Sequence, residues 1–326
     1  MKITVLGAGG WGTALAMKLF KKGYETCLWS AFDSEVEELR TTHINKLLPG
    51  VTIPKEITIT SDLFEAMERS ELIIIAVPSN VVKTVCNKLT AYNPLPIVVC
   101  VSKGFDEDTG ELMSEVIEKS LSTDKVVILS GPTHAEEVSR DIPTAIVASS
   151  KVEAYAQYVQ NVFMSETFRV YTNTDVVGVE VSGALKNVIA LCAGISDGCG
   201  YGDNTKAALM TRGLAEIARL GVAMGGKFET FMGLTGVGDL IVTCTSMHSR
   251  NRRAGILIGQ GRSVNEALDE VKMVVEGIKS CKSAYKLAKK YNIDTPIINT
   301  AYDVLFNNVN PTAAVTELMQ RDKKSE

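Results

Sequence analysis

Ile3-Thr4-Val5-Leu6-Gly7-Ala8-Gly9-Gly10-Trp11-Gly12-Thr13-Ala14-Leu15-Ala16 lies at the head of the chain and decides its fold. Ile3 to Leu6 is a short β-rich apolar run, and the Ala- and Leu-rich residues after Gly12 have helical character. The glycines therefore occupy a strand-to-helix turn, and those at 7, 9 and 12 fit G-x-G-x-x-G. The first glycine permits the tight turn, the second lets the backbone approach a pyrophosphate, and the third lets helix and strand pack closely. The helix start then offers unpaired N–H groups and a positive dipole end to phosphates. Such a turn can be no more than a tight connection, but its position between strand and helix favours a bound dinucleotide. Trp11 either shields that cofactor or anchors the core.

The alternation continues outward from this loop. Residues 25–29, 72–77, 97–102, 126–130, 144–148 and 168–171 read as strands, several continuously apolar, as in a parallel sheet buried on both faces. Helices are expected over 12–22, 34–41, 63–69, 81–89, 111–121 and 152–163. This pattern predicts an α/β, doubly wound Rossmann-type domain over residues 1–172. From about Thr172 the Val, Ile and aromatic clusters thin out, and Ala, Gly, Leu and Met recur at helical spacing, as over 205–224 and 277–291. Residues 173–326 are expected to form an all-helical domain carrying substrate and catalysis. Only the tail 321–326 reads as a disordered charged end.

Composition narrows the chemistry. The 326 residues include 34 Lys+Arg against 38 Asp+Glu, a net charge of −4 without the basic excess of a nucleic-acid binder. Uninterrupted apolar runs such as 72–78 fall far below the ~20 residues of a spanning helix, so a soluble, cytoplasmic protein is expected. Seven scattered cysteines without a Cys-x-x-Cys pair argue against a disulfide framework or structural zinc. Three distant histidines argue against a catalytic metal, so no metal is expected and an organic cofactor carries the chemistry.

At the end of the second strand, where a ribose reader is expected, stand Trp29-Ser30-Ala31-Phe32-Asp33. Asp33 can bind the ribose hydroxyls, or Asp33 and Ser34 can start a helix with Ser34 and Glu37 as a capping box; both readings stand. Ala31 and Phe32 bring no positive charge to a 2′-phosphate, which favours NAD slightly over NADP.

The second half offers three constellations. Lys186 sits in an uncharged helical stretch, Val181 to Ala190, with small neighbours at 183 and 184. A buried lysine can serve as a proton-transfer group, whereas the alternative is a side chain snorkelling to the surface. Gly233-Leu234-Thr235-Gly236-Val237-Gly238-Asp239-Leu240 is a second Gly-rich turn, in which Asp239 alone reads as a helix N-cap. Ser249-Arg250-Asn251-Arg252-Arg253 reads as an anion site or a solvated basic face, with Arg250 and Arg253 on one helix side and Arg252 pointing elsewhere.

Together with Val101-Ser102-Lys103-Gly104, Ser130-Gly131-Pro132-Thr133 and Val274-Val275-Glu276-Gly277, these segments resemble the NAD(P)-dependent glycerol-3-phosphate dehydrogenase family in its bacterial form. The resemblance spans nearly the whole chain. It implies interconversion of dihydroxyacetone phosphate and sn-glycerol 3-phosphate, with NAD or NADP, for glycerophospholipid synthesis. It implies that Lys186 is the proton acceptor, that Lys103 lies between cofactor and substrate, and that Asp239 belongs to the catalytic group. By the same resemblance Lys103, Gly131, Thr133, Lys186, Asn187, Asp239, Ser249, Arg250 and Asn251 hold the phosphorylated substrate. Gly10, Trp11, Ala31, Ala135, Arg250, Val274 and Glu276 then touch the cofactor beside Gly7, Gly9 and Gly12, and a homodimer is expected. Where the family commonly has Phe after the hydroxyl residue, this chain has His134. Competing readings are a β-hydroxyacid dehydrogenase or ketopantoate reductase, and a non-catalytic dinucleotide sensor. The Ser249–Arg253 cluster favours a phosphorylated substrate over the first, and the co-occurrence of Lys186, Asp239 and Arg250 disfavours the second.

Overall fold

Eight strands make one sheet: β1 (Lys2–Leu6), β2 (Glu25–Trp29), β3 (Thr58–Thr60), β4 (Ser70–Ile75), β5 (Ile97–Cys100), β6 (Val126–Ser130), β7 (Thr144–Ser149) and β8 (Phe168–Asn173). Their order is β3-β2-β1-β4-β5-β6-β7-β8, with every pair parallel except β6 and β7. The order reverses direction at β1, so the crevice above its carboxyl end is the topological switch point of the sheet. This computed structural model describes residues 1–92, 94–323 and 325, so Lys324 and Glu326 of the expected disordered tail lie outside the described residues.

Helices α1 (Gly10–Lys21), α2 (Asp33–Thr42), α3 (Leu63–Met67), α4 (Ser79–Leu89), α5 (Met113–Leu121), α6 (Ala135–Val138) and α7 (Glu153–Phe163) alternate with the strands. The central strands β1 and β4 are apolar because helices cover both faces: Ile3, Val5, Leu72 and Ile74 are fully buried in a core that also takes Leu15 and Leu19 from α1. Each such side chain contributes roughly 1.5–3 kcal/mol by leaving water. The short edge strand β3 is the one strand not anticipated, since three residues carry too little periodicity to read.

The chain divides into two compact units, Met1–Lys103 with Glu111–Val176, and Gly104–Gly110 with the residues from Val177 onward. The division therefore lies a few residues beyond the expected 172/173, and the excursion Gly104–Gly110 groups with the second unit. That unit is helical: α8 (Val176–Gly198), α9 (Asp203–Ala223), α10 (Phe228–Phe231), α11 (Asp239–Thr245), α12 (Arg250–Gly259), α13 (Val264–Val271), α14 (Glu276–Lys290), α15 (Pro296–Phe306) and α16 (Pro311–Met319). A π-helical turn, Leu234–Gly238, leads directly into α11.

Helix α8 is long and apolar enough to cross a bilayer by length and composition, although polar residues such as Glu180 and Lys186 interrupt its apolar runs. It is a buried core helix, with Val179, Val181, Leu185, Val188, Ile189 and Leu191 all at zero exposure. Glycines set its approach to α12. A Cβ on Gly194 would lie 2.1 Å from the Arg252 carbonyl oxygen, and one on Gly255 would lie 2.1 Å from that of Leu191. The two backbones thus touch, which fixes where the first turn of α12 stands against α8.

Candidate active site

In the first unit the glycine loop has the geometry its sequence requires. Gly7 has φ +124°, and a Cβ there would strike the Ala76 carbonyl oxygen at 2.6 Å. A Cβ on Gly12 would sit 2.0 Å from the Gly7 carbonyl oxygen, so only glycine lets α1 pack this closely on the turn. Gly9 faces open space, and as N-cap of α1 it offers no side chain to the first-turn N–H groups. An open approach to uncapped amides suits the phosphates of a dinucleotide.

Asn45, which belongs to no sequence motif, braces this loop. Its buried Nδ2 donates to the Ala8 carbonyl at 2.8 Å and to Thr13 Oγ1 at 2.7 Å, while Thr13 Oγ1 donates to the same carbonyl at 3.2 Å. A lone Asn in an irregular segment, more than thirty residues from the loop, carries no motif. Trp11 packs partly buried against the core, in keeping with the anchor reading.

At the end of β2 the helix reading of Asp33 prevails in part. Asp33 is the first residue of α2, but Phe32 is the N-cap and no side-chain cap bond forms, so the Ser34–Glu37 capping box is absent. Ser30 takes the local role instead: its Oγ donates to the Glu35 carboxylate and accepts from the Phe32 N–H at 3.3 Å. Ala31 and Phe32 stand exposed beside it.

Lys103 and the Ser130–Thr133 segment meet in the same unit. Lys103 Nζ donates to the Gly131 carbonyl at 3.0 Å, and Thr133 Oγ1 donates to that oxygen at 3.1 Å. Gly131 has φ +153°, and a Cβ there would meet the Ile146 backbone at 3.1 Å. His134 is the N-cap residue of α6, and Ala135 opens that helix.

In the helical unit Lys186 does not snorkel. It is 6% exposed, and its Nζ donates to Asp239 Oδ1 at 2.5 Å and to Thr243 Oγ1 at 2.7 Å. Thr243 Oγ1 donates to the Asp239 backbone carbonyl at 2.6 Å, so its lone pairs face the ammonium. Asp239 is no N-cap: Gly238 before it is already helical, and the carboxylate turns to Lys186. Asp239 and Thr243 are one turn apart on α11, and that spacing brings both to a single Nζ. Burial pushes the neighbouring Cys244 thiol up to about 12, which leaves no thiolate nucleophile there at neutral pH.

The arginine cluster separates by role. Ser249 is the N-cap of α12, its Oγ accepting from the Arg252 N–H at 3.2 Å. Arg252 is structural: Nε and Nη2 grip Asp197 Oδ2 at 2.9 and 2.8 Å, and Nη1 reaches the Thr245 carbonyl at 2.8 Å. Arg250, the first residue of α12, stands half-buried at a helix N-terminus, a favourable place for an anion. Asn251 Nδ2 donates to Asn187 Oδ1 at 2.9 Å, and Asn251 Oδ1 accepts from the Gly277 N–H at 2.8 Å. Gly277 is the second residue of α14, following Glu276, and Val274 lies exposed just before that helix. Of the expected residues, Lys186 and Asp239 thus form one buried cluster, Asn187 and Asn251 a second, and Lys103, Gly131 and Thr133 a third in the other unit.

Residues 2–156 match the family model of the NAD-dependent glycerol-3-phosphate dehydrogenase N-terminus, and residues 175–316 match that of the C-terminus. The chain belongs to the NAD-dependent glycerol-3-phosphate dehydrogenase family. A glycerol-3-phosphate dehydrogenase [NAD(P)+] of Clostridium perfringens is 53% identical, over 100% of this chain and 99% of that protein. One from Thermoanaerobacter sp. strain X514 is 57% identical over the same shares. The crystal structure of a Coxiella burnetii glycerol-3-phosphate dehydrogenase superposes with a TM-score of 0.94 at 36% identity, covering 98% of this chain and 99% of that one. The glycine loop, the Lys186 centre and the first turn of α12 all fall within the matched segments of this dehydrogenase family.

Proposed function

We propose that this chain is an NAD(P)-dependent glycerol-3-phosphate dehydrogenase that interconverts dihydroxyacetone phosphate and sn-glycerol 3-phosphate and so supplies glycerophospholipid biosynthesis. The observation that carries the reading is Lys186, a buried ammonium held by Asp239 and Thr243.

The open, uncapped start of α1 fits a pyrophosphate, with Gly7, Gly9, Gly10, Trp11 and Gly12 as its cradle. By the family resemblance, Ala31, Lys103, Ala135, Arg250, Val274 and Glu276 are assigned to the cofactor as well. When bound, the dinucleotide supplies or accepts the hydride. Lys186 Nζ gives a proton to the substrate carbonyl oxygen during reduction and takes it back from the alcohol during oxidation, a step worth roughly 10²–10⁴-fold in rate. Asp239 and Thr243 keep Nζ in one place, so its orientation costs nothing at the moment of reaction. Arg250 reads the phosphate, where a planar guanidinium matches the oxygens and the α12 N-terminus adds its dipole. Lys103, Gly131, Thr133, Asn187, Ser249 and Asn251 complete the substrate's surroundings.

A cytoplasmic location and a homodimer belong to the same reading. Seven free cysteines, five of them buried, suit a reducing compartment, and sedimentation of the dimer would report twice 35.2 kDa. The function is tested by following NADH and NADPH absorbance with dihydroxyacetone phosphate and, separately, with ketopantoate. Turnover confined to the phosphorylated ketone is expected. Turnover confined to ketopantoate would replace the reading with a carboxylate reductase, and tight NADH binding without any turnover would replace it with a sensor.

A further inference from the structure

The hydrogen bonds from α14 to α8 have a direction, and that direction fixes the polarity of an amide beside the reacting lysine. The Gly277 N–H can only donate, so the oxygen of Asn251 must face it, as the 2.8 Å contact shows. With that oxygen taken, Asn251 presents its NH₂ to Asn187, and the 2.9 Å bond accordingly ends on Asn187 Oδ1. Asn187 is thereby left with Nδ2 turned away from Asn251, and this group donates to none of the described residues. Asn187 follows Lys186 directly on α8 and keeps 5% of its surface exposed.

The close packing at Gly277 protects the relay. A Cβ there would stand 2.5 Å from the Asn187 carbonyl oxygen and 2.9 Å from Asn251 Oδ1, so any larger residue would force the three groups apart. Asn251 itself is 8% exposed, and both ends of its amide are engaged.

We propose that Asn251, set by the Gly277 N–H, acts as a positioning residue that locks the Asn187 amide with its NH₂ outward, as a donor for an acceptor-only oxygen of the substrate. The inference rests on the dehydrogenase reading and deepens it. Carbonyl and phosphate oxygens accept hydrogen bonds and cannot donate them, so a site for a phosphorylated ketone needs Asn187 in this orientation. A freely rotating amide would offer the wrong pole part of the time.

A double-substitution cycle tests this. Asn251→Asp keeps an oxygen for the Gly277 N–H, and with it the anchor of α14, but turns a second oxygen toward Asn187. The Asn187 amide must then rotate and present its own oxygen to the substrate. In the otherwise native chain the KM for dihydroxyacetone phosphate is expected to rise roughly 10- to 100-fold, the usual cost of a mispaired polar group, with kcat changed less. In an Asn187→Ala background no amide remains to rotate, so the same substitution should raise KM several-fold less, by its added charge alone. An equal factor in both backgrounds overturns the relay and makes Asn251 an independent contact. If Asn251→Asp loses its fold, Asn251→Ala gives the second arm: its KM increase must shrink in the Asn187→Ala background, and undiminished additivity again overturns the proposal. Native-chain turnover in the same series keeps a failure of the relay distinct from a failure of the dehydrogenase reading.

Discussion

Thr243 stands 57 residues from Lys186 in the chain, yet its hydroxyl is one of the groups that hold the lysine. Nothing in Val242-Thr243-Cys244 marks it as functional, because the information lies in how α11 meets α8 and not in any local pattern. Lys186 was legible for the opposite reason: one charge in an apolar helical stretch conflicts with its surroundings unless it has a partner. Asp239 was half legible. Its turn-like neighbours suggested a cap, but Gly238 already continues a helical turn and frees the carboxylate for Lys186. Arg250 can be tested against this division of labour. Its replacement by Ala is expected to cost on the order of 2–5 kcal/mol in kcat/KM for dihydroxyacetone phosphate, and much less for unphosphorylated dihydroxyacetone. Equal losses on both substrates would assign Arg250 to the cofactor or the fold.

Among the elements, α15 depends on a side chain that is not its own. Thr295 at its N-cap accepts no bond from the first-turn N–H groups, and the buried Glu216 of α9 accepts instead from the Ile297 and Ile298 N–H groups at 2.8 and 3.1 Å. Burial pushes the Glu216 carboxyl from its ordinary 4.5 up to about 7, although the two N–H groups pull the other way. The native state therefore holds this proton more tightly than the unfolded chain does. Its contribution is complete below about 4.5 and is lost as the pH rises through about 7. The native chain should lose stability relative to Glu216→Gln over that interval, by on the order of 3 kcal/mol. Thermal midpoints of the two proteins across the interval read this directly, and a constant difference would contradict it. The alternation of strands and helices was readable because β1 and β4, buried on both faces, need continuous apolar runs. The glycine contact between α8 and α12 was not, since Gly194 and Gly255 read equally well as loop or helix residues until their partner is known.

At the scale of the whole molecule, cofactor choice follows from the charge at the open end of the sheet. Beyond β2 the first turn of α2 carries Asp33 and Glu35, and Ala31 and Phe32 add no cation. Among the basic groups of this part of the chain, Arg40 Nε donates to the Ile59 carbonyl at 2.6 Å, Lys46 pairs with Glu38 at 2.5 Å, and Lys88 Nζ lies 5.7 Å over the Trp29 ring at the end of β2. NADH is therefore expected to serve at least as well as NADPH. A kcat/KM preference of about tenfold or more for NADPH, ~1.4 kcal/mol, would contradict this. The central claim, that a buried lysine moves the proton, is tested most directly by the turnover of Lys186→Ala with dihydroxyacetone phosphate and NADH. The account predicts a fall in kcat of roughly 10²–10⁴-fold in a folded protein that still binds NADH normally. Near-native turnover by that protein would contradict it.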